Sequence, residues 1–126
     1  MFSHVMVGAN DLEASRKFYD AALVALGHKE AGQDPKGRYF WRSPAGVFGI
    51  TTPLNSEPAC HANGGTIGFA ADNTDAVDAW FAAGLANGGS ECEDPPGIRE
   101  NNGRQLYIAY LRDPSGNKVC AMHRVK

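Results

Sequence analysis

The chain has 126 residues and a formal net charge of −2 at pH 7, with 43% hydrophobic and 21% charged residues. This length and composition are typical of one globular domain and exclude a chain that is disordered throughout. Twelve basic residues stand against fourteen acidic ones, so the basic surplus of a nucleic-acid-binding protein is missing. The longest apolar run, residues 21–26, is too short to span a membrane.

The cysteines and the N-terminal residues indicate a cellular compartment. Cys60, Cys92 and Cys120 are odd in number and widely spaced, which fits neither a disulfide framework nor a zinc motif. Residues 1–4 have no basic region that leads into an apolar segment. We therefore expect reduced thiols, a cytoplasmic location, and no nucleic-acid or membrane partner.

The first part of the chain predicts a strand followed by a helix. In residues 4–8 the apolar Val5 and Val7 alternate with their neighbours, which is a strand pattern. Asn10 with Glu13 three residues later predicts a helix N-terminus. Apolar residues then recur at helical spacing up to Gly27, a natural helix stop.

A hairpin follows the predicted helix. Residues 38–42 lead into the turn Ser43-Pro44-Ala45-Gly46, and residues 47–52 form the returning strand. Serine first, proline second and glycine fourth are the preferences of a type I turn. If Pro44 and Ala45 are the central turn residues, Trp41 faces Phe48.

The sequence then repeats this organisation. A shift of 62 residues places residues 4–10 on residues 66–72 and continues without a gap until Gly27 meets Gly89. In the hairpins the shift is 70, because the second copy has a longer loop around residues 95–97. We predict one domain over residues 1–126, with module 1 at about 1–52, module 2 at about 65–124, and a linker at 53–64. Each module should contain a strand, a helix, a short strand and two long strands.

Two stretches carry a resemblance to a known family. Residues 3–7 (SHVMV) with residues 11–19 (DLEASRKFY) are similar to the opening strand and helix of the vicinal oxygen chelate superfamily, and residues 111–117 (LRDPSGN) resemble its closing hairpin. That superfamily includes glyoxalase I, extradiol dioxygenases, and fosfomycin- and bleomycin-resistance proteins. The resemblance implies an α+β fold in which two tandem βαβββ modules form an open half-barrel around a cavity.

Strand alternation within this implied fold predicts the cavity wall. We expect Val5, Val7, Ile67 and Phe69 to pack under the helices, with Gly68 facing the cavity. In the second hairpin, Ala109 should face Cys120 and Tyr107 should face Met122. The predicted lining consists of His4, Met6, Tyr39, Trp41, Phe48, Ile50, Thr66, Tyr107, Leu111, Cys120 and Met122. Such an apolar and aromatic lining is typical of a small-molecule pocket, although the same side chains can instead fill the barrel as core. Arg99 and Arg104 are expected at the rim, in a lid formed by residues 95–104.

The resemblance also implies where a metal would bind. Metal-dependent members of the superfamily place ligands at up to four symmetry-related strand positions, which here are His4, Ile50, Thr66 and Cys120. Only His4 is a usual ligand for such a site. We therefore predict no metal, with His4 as a hydrogen-bond donor, a catalytic base or a plain wall residue. The alternative is a divalent metal in a non-standard ligand set that includes His61.

Two functions stay open from the sequence. The first is a protein without the usual metal that binds or converts a small carbonyl or aromatic compound in the cavity, as a non-catalytic binder or as a glyoxalase-like lyase or isomerase. The second is a metal-dependent enzyme resembling glyoxalase I or an extradiol dioxygenase. Relatives with two modules per chain usually pair, and a small open sheet leaves edges to cover, so we also predict a homodimer.

Overall fold

The computed structural model describes residues 1–125, and Lys126, the last residue of the predicted domain, lies outside them. Nine strands and two helices follow one another in an α+β arrangement. They are β1 (His4–Gly8), α1 (Leu12–Ala25), β2 (Gly32–Gln33), β3 (Tyr39–Ser43), β4 (Gly46–Thr51), β5 (Ile67–Ala70), α2 (Thr74–Ala86), β6 (Ser90–Glu91), β7 (Gly97–Asn101), β8 (Arg104–Arg112) and β9 (Lys118–Arg124). No helix among residues 1–125 has the length and hydrophobicity needed to cross a membrane.

The strands form two separate curved sheets, one in each half of the chain. The first sheet has the order β1-β4-β3-β2, and the second has the order β5-β9-β8-β6, with β7 added beside β8. β1 runs parallel to β4 and β5 runs parallel to β9, as a βαβββ connection requires. Residues 4–8 and 67–70 are therefore equivalent strands, which confirms the fold and the repeat predicted from the sequence. The described strands of the two sheets do not pair with each other, so the sheet is not closed into a barrel.

Both helices begin one residue later than the sequence pattern predicts. Asp11 caps α1 by accepting a hydrogen bond from Ala14 N at 3.0 Å, and Asn73 caps α2 in the same way from Ala76 N at 2.8 Å. Asn10 has another role, because its Oδ1 accepts a bond from Ala59 N at 2.7 Å. Asn10 thus ties the linker to module 1 instead of capping the helix.

The two hairpin turns differ in length by one residue. Ser43 pairs with Gly46, which leaves the two turn residues predicted, and Trp41 faces Phe48 as predicted. In the second hairpin Asp113 N donates to Asn117 O at 2.9 Å, so three residues lie between the paired positions. This extra residue shifts the register of β9, and Ala109 faces Ala121 rather than Cys120. The predicted pairing of Tyr107 with Met122 is wrong for the same reason, because Tyr107 pairs with His123.

One hydrophobic core joins the two modules. The two helices pack against each other, and Tyr19 of α1 and Trp80 of α2 are fully buried. The rings of Phe48 in β4 and Phe69 in β5 meet edge to face, with centroids 5.1 Å apart. Since these residues come from both halves of the chain, the halves share one core rather than forming two.

The second turn also connects the modules through a buried carboxylate. The hydroxyl of Tyr19, in module 1, donates to Asp113 Oδ2 at 2.7 Å. Asp113 also accepts bonds from Ser115 N, Asn117 N and Asn117 Nδ2, each at 2.9 Å. Asn117 Nδ2 lies 3.0 Å from the carbonyl of Gly8, at the end of β1. We call residues 113–117 the Asp113 turn.

The Tyr19–Asp113 bond predicts how stability depends on pH. Burial, followed by the Asp113 charge, holds the pKa of Tyr19 well above its ordinary value. The unfolded chain releases the same proton near pH ~10. The stabilisation is therefore complete below that pH and is lost as the pH rises beyond it.

We expect Tyr19→Phe to lower the free energy of unfolding by about 1–2 kcal/mol at pH 7, since one hydrogen bond to a buried charge is lost. The variant should then lose less stability than the wild type between neutral and alkaline pH. Urea unfolding across that range measures both effects, and Tyr39→Phe, whose less buried hydroxyl has its pKa raised by the bond to Glu13, should change the alkaline slope less than Tyr19→Phe does. Identical alkaline slopes for wild type and Tyr19→Phe would contradict this assignment.

Candidate functional site

Each sheet has one face under the helices and one face turned away from them, which we call the open face. In the first module, Val5 pairs with Phe48 and Val7 with Ile50, so these four residues share the helix side. In the second module, Ile67 pairs with Val119 on the same side. The predicted packing of Val5, Val7, Ile67 and Phe69 follows this alternation, although all four side chains remain half-buried.

Six residues predicted to line the cavity lie on the helix side instead. Trp41, Phe48, Ile50 and Leu111 are buried in the core, and Tyr39 and Tyr107 pack against it. Trp41 Nε1 donates to Asp20 of α1 at 3.0 Å, and the Tyr107 hydroxyl donates to Asp78 of α2 at 2.7 Å. The physical reason is the parallel pairing of β1 with β4 and of β5 with β9. Paired residues point to the same side of a sheet, so the residues of β4 and β9 that pair with the helix-facing residues of β1 and β5 also face the helices.

The remaining predicted lining residues lie on the open faces. His4 is exposed, and its Nδ1 lies 2.8 Å from Ser3 Oγ. Met6 pairs with Gly49 in module 1, while Cys120 pairs with Gly68 and Met122 with Ala70 in module 2. Thr66 is exposed and immediately precedes β5. The register places the rings of Phe40, paired with Gly49, and Tyr110, paired with Cys120, on the open faces instead of the four aromatic residues that the sequence predicts there.

The register also corrects one of the four implied metal positions. Cys120 pairs with Gly68, and the equivalent partner of Met6 is Gly49, so the position assigned to Ile50 belongs to Gly49. A Cβ atom at Gly49 would collide with the Met6 sulfur and lie 2.8 Å from the Phe40 ring. No side chain with a metal ligand can take that position without displacing Met6.

The donors at these positions do not fit a divalent metal site. Gly49 offers no side chain, and the hydroxyl of Thr66 is a poor ligand. Burial raises the pKa of Cys120 to about 11, so its thiol stays protonated near neutral pH. Within residues 1–125, no group of three histidine, cysteine or acidic residues is placed to hold a metal ion, and His61 of the linker completes none.

The predicted rim and lid have a different structure. Residues 97–101 form β7, paired with β8, rather than a free loop. Arg99 donates to the carbonyls of Asp94, Pro95 and Gly97 at 2.8–3.2 Å. Its guanidinium thus holds the preceding loop together, while Arg104 is exposed at the start of β8.

A cavity of about 450 Å³ opens beside Met6 at one end of the first open face. Its apolar wall includes Met6, Leu12 and Leu54, and its polar side includes Lys36 and Arg38. The Arg38 guanidinium pairs with Asp34 at 2.6 Å, whereas Lys36 is exposed. A volume in this range is typical of small-molecule sites.

The chain belongs to the Glyoxalase/Bleomycin resistance protein/Dioxygenase superfamily, whose family model matches residues 1–121. It is 61% identical to a glyoxalase/bleomycin resistance protein from Albidiferax ferrireducens T118, with a TM-score of 0.95 and coverage of 98% of this chain and 99% of that one.

Two less similar structures share the fold. A lactoylglutathione lyase from Agrobacterium tumefaciens is 25% identical over 97% of this chain and 92% of that one, with a TM-score of 0.64. A glyoxalase/bleomycin resistance protein/dioxygenase family enzyme from Burkholderia phytofirmans PsJN is 20% identical over 95% of both chains, with a TM-score of 0.69. No curated protein matches the chain significantly.

The sequence left two features of this region unpredicted. The Lys36–Arg38 side of the cavity depends on how the loop before β3 folds against the linker. Gly49 was missed because the two turns have the same pattern of serine or aspartate, proline and glycine. The signal that distinguishes them is Asn117, whose side chain bonds to Asp113 and Gly8, whereas the equivalent residue of the first turn, Gly46, has no side chain.

The burial of Cys120 predicts its reactivity. Because its thiol pKa is raised to about 11, little thiolate exists at pH 8. Two single-cysteine variants test this, one keeping only Cys120 and the other keeping only the exposed Cys60. The variant with Cys120 should react with a disulfide reagent at least about tenfold more slowly than the variant with Cys60. Absorbance of the released thiolate measures both rates, and equal rates in folded protein would contradict the assigned environment.

Proposed function

We propose that this protein binds, or converts, a small carbonyl or aromatic compound on its open face without the metal that many members of its superfamily use. The observation that carries this proposal is the set of residues at the four implied ligand positions, namely His4, Gly49, Thr66 and Cys120. Since a catalytic metal normally keeps about three protein ligands, this set is too poor to hold one.

The cavity beside Met6 supports a ligand with an oxygen atom at one end. Lys36 is a hydrogen-bond donor on its polar side, and the wall formed by Met6, Leu12 and Leu54 suits an apolar body. A carbonyl or carboxylate oxygen directed at Lys36 would satisfy both sides of the cavity. His4 belongs to the same open face, and its imidazole is the group we assign to hydrogen bonding or proton transfer with a ligand there.

The proposal predicts that the purified protein contains no tightly bound divalent metal. Elemental analysis after mild purification, without a histidine tag, should find nickel, zinc, iron and manganese well below one atom per chain. The physical reason is that a metal ion bound mainly through His4 would gain too little to give up its water ligands.

A designed variant provides the matching positive control for that measurement. Thr66→His with Cys120→Glu adds two ligands of the usual types beside His4 and should raise metal content if the positions converge. Near-stoichiometric metal in the wild type that disappeared in His4→Ala would contradict the proposal. It would favour the metal-dependent enzyme instead, with His61 as the next residue to replace.

We further propose a homodimer in a reducing cytoplasm. Two observations support the pairing: within residues 1–125, β1 and β5 each end a sheet with one edge unpaired, and Phe2 and Leu54 are 73% and 103% exposed. Cys60, Cys92 and Cys120 are all free thiols, which is consistent with that compartment.

Light scattering at micromolar concentration should give about twice the chain mass of 13.5 kDa. We expect Phe2→Glu, beside β1, to shift the distribution toward monomer, because it places a charge in the apolar contact. Val24→Glu, on the exposed side of α1, should leave the mass unchanged. A wild-type protein that is monomeric at these concentrations would contradict the dimer.

A further inference from the structure

The contact between the two modules has two ends, and the internal repeat makes the residues at these ends equivalent. At the first end, the Asp113 turn of module 2 contacts the end of β1 in module 1. Ser115 Oγ accepts a bond from Asn10 N at 2.9 Å, and Asn117 Nδ2 donates to Gly8 O at 3.0 Å. Together with the Tyr19–Asp113 bond, these contacts mean that the first end is filled by polar groups that are hydrogen-bonded to one another.

At the second end, the same positions hold residues that cannot make these bonds. The repeat replaces Tyr19 with Phe81 and Asp113 with Ser43, whose hydroxyl bonds within its own turn. Ala45 replaces Ser115, and Gly46, which pairs with Ser43 as Asn117 pairs with Asp113, replaces Asn117, so the side-chain oxygen and amide of the first end have no counterparts.

A cavity of about 600 Å³ occupies the second end, and we call it the seam cavity. It is lined by Ser43, Ala45 and Val47 of the first turn. On the other side it is lined by Ala70 and Asp72, the equivalents of Gly8 and Asn10. Positions whose side chains fill the first end of the contact between modules therefore surround an open cavity at the second end.

The lining of the seam cavity combines aromatic side chains with one carboxylate. Trp41, Phe48 and Phe69 contribute rings, and Leu23 and Leu26 from the end of α1 add apolar surface. The exposed Asp72 supplies a negative charge at the rim, and the other titratable residue of the lining is His28. Among residues 1–125, no lysine or arginine belongs to this lining.

We propose that the seam cavity is a second small-molecule site, separate from the cavity beside Met6, for a small aromatic compound that carries a protonated amine. The aromatic part of the ligand contacts the half-buried Phe69 and Leu26, together with the part of the Trp41 and Phe48 rings that stays exposed, 4% and 7% respectively. The ammonium group lies near Asp72 and gains from both the carboxylate and the adjoining aromatic faces. The cavity volume is in the range of ordinary ligand sites.

Three probes that differ mainly in charge test this proposal. They are 2-phenylethylamine, the neutral 2-phenylethanol and the anionic phenylacetate. Two-dimensional amide NMR should show the amine shifting Gly27, His28 and residues 68–72, and titration should give it an affinity at least about tenfold higher than the alcohol, or about 1.4 kcal/mol. Phenylacetate should leave these amides unshifted.

Variants separate the charge from the cavity. Asp72→Asn should lower the affinity for the amine to that for the alcohol and leave the affinity for the alcohol unchanged. Asp75→Asn removes an equally exposed charge outside the lining and should change neither. Ala70→Phe, at an exposed position of the lining, should remove binding of both probes. Shifts confined to other residues, equal binding of the three probes, or an amine affinity unchanged in Asp72→Asn would overturn the proposal.

Discussion

The arrangement of the two modules depends on the carboxylate of Asp113. This carboxylate is 4% exposed and accepts four hydrogen bonds, three from its own turn and one from Tyr19 of the other module. A buried charge is tolerated only when its oxygens are satisfied, and here the bonds that satisfy it also join the two halves of the chain. The shared aromatic core adds apolar contact to this polar connection, and the carboxylate makes its bonds at one of the two ends where the modules meet.

The same turn explains the asymmetry of the molecule. One residue more than in the first turn allows Asn117 to reach both Asp113 and Gly8, and it shifts β9 so that Cys120 lies on the open face. The first turn is shorter, and Gly46, the counterpart of Asn117, has no side chain to make such bonds and borders a cavity instead. A difference of one residue between the two turns therefore affects which residues of β9 lie on the open face. It also leaves a cavity at the second end of the contact between modules.

Much of the fold could be predicted from the sequence because the repeat is regular. Alternation in residues 4–8, helical spacing up to Gly27 and the first hairpin, with Trp41 facing Phe48, all depend on neighbouring residues and are confirmed. The site was harder to predict, since the face of a strand depends on its pairing with distant strands. Phe48 lies in the core because it pairs with Val5, and neither the period of β4 nor its turn determines that pairing. The turn of the second hairpin was mispredicted because its extra residue is stabilised by side-chain bonds that turn propensities omit.

A double-mutant cycle measures whether Asp113 couples the two modules through Tyr19. Urea unfolding at neutral pH would be measured for the wild type, Tyr19→Phe, Asp113→Asn and the double variant. If the hydroxyl and the carboxylate stabilise each other, the double variant should be more stable than the sum of the single changes predicts, by about 1 kcal/mol or more. Single costs that add to within about 0.5 kcal/mol would show that the two groups act independently and would contradict the account.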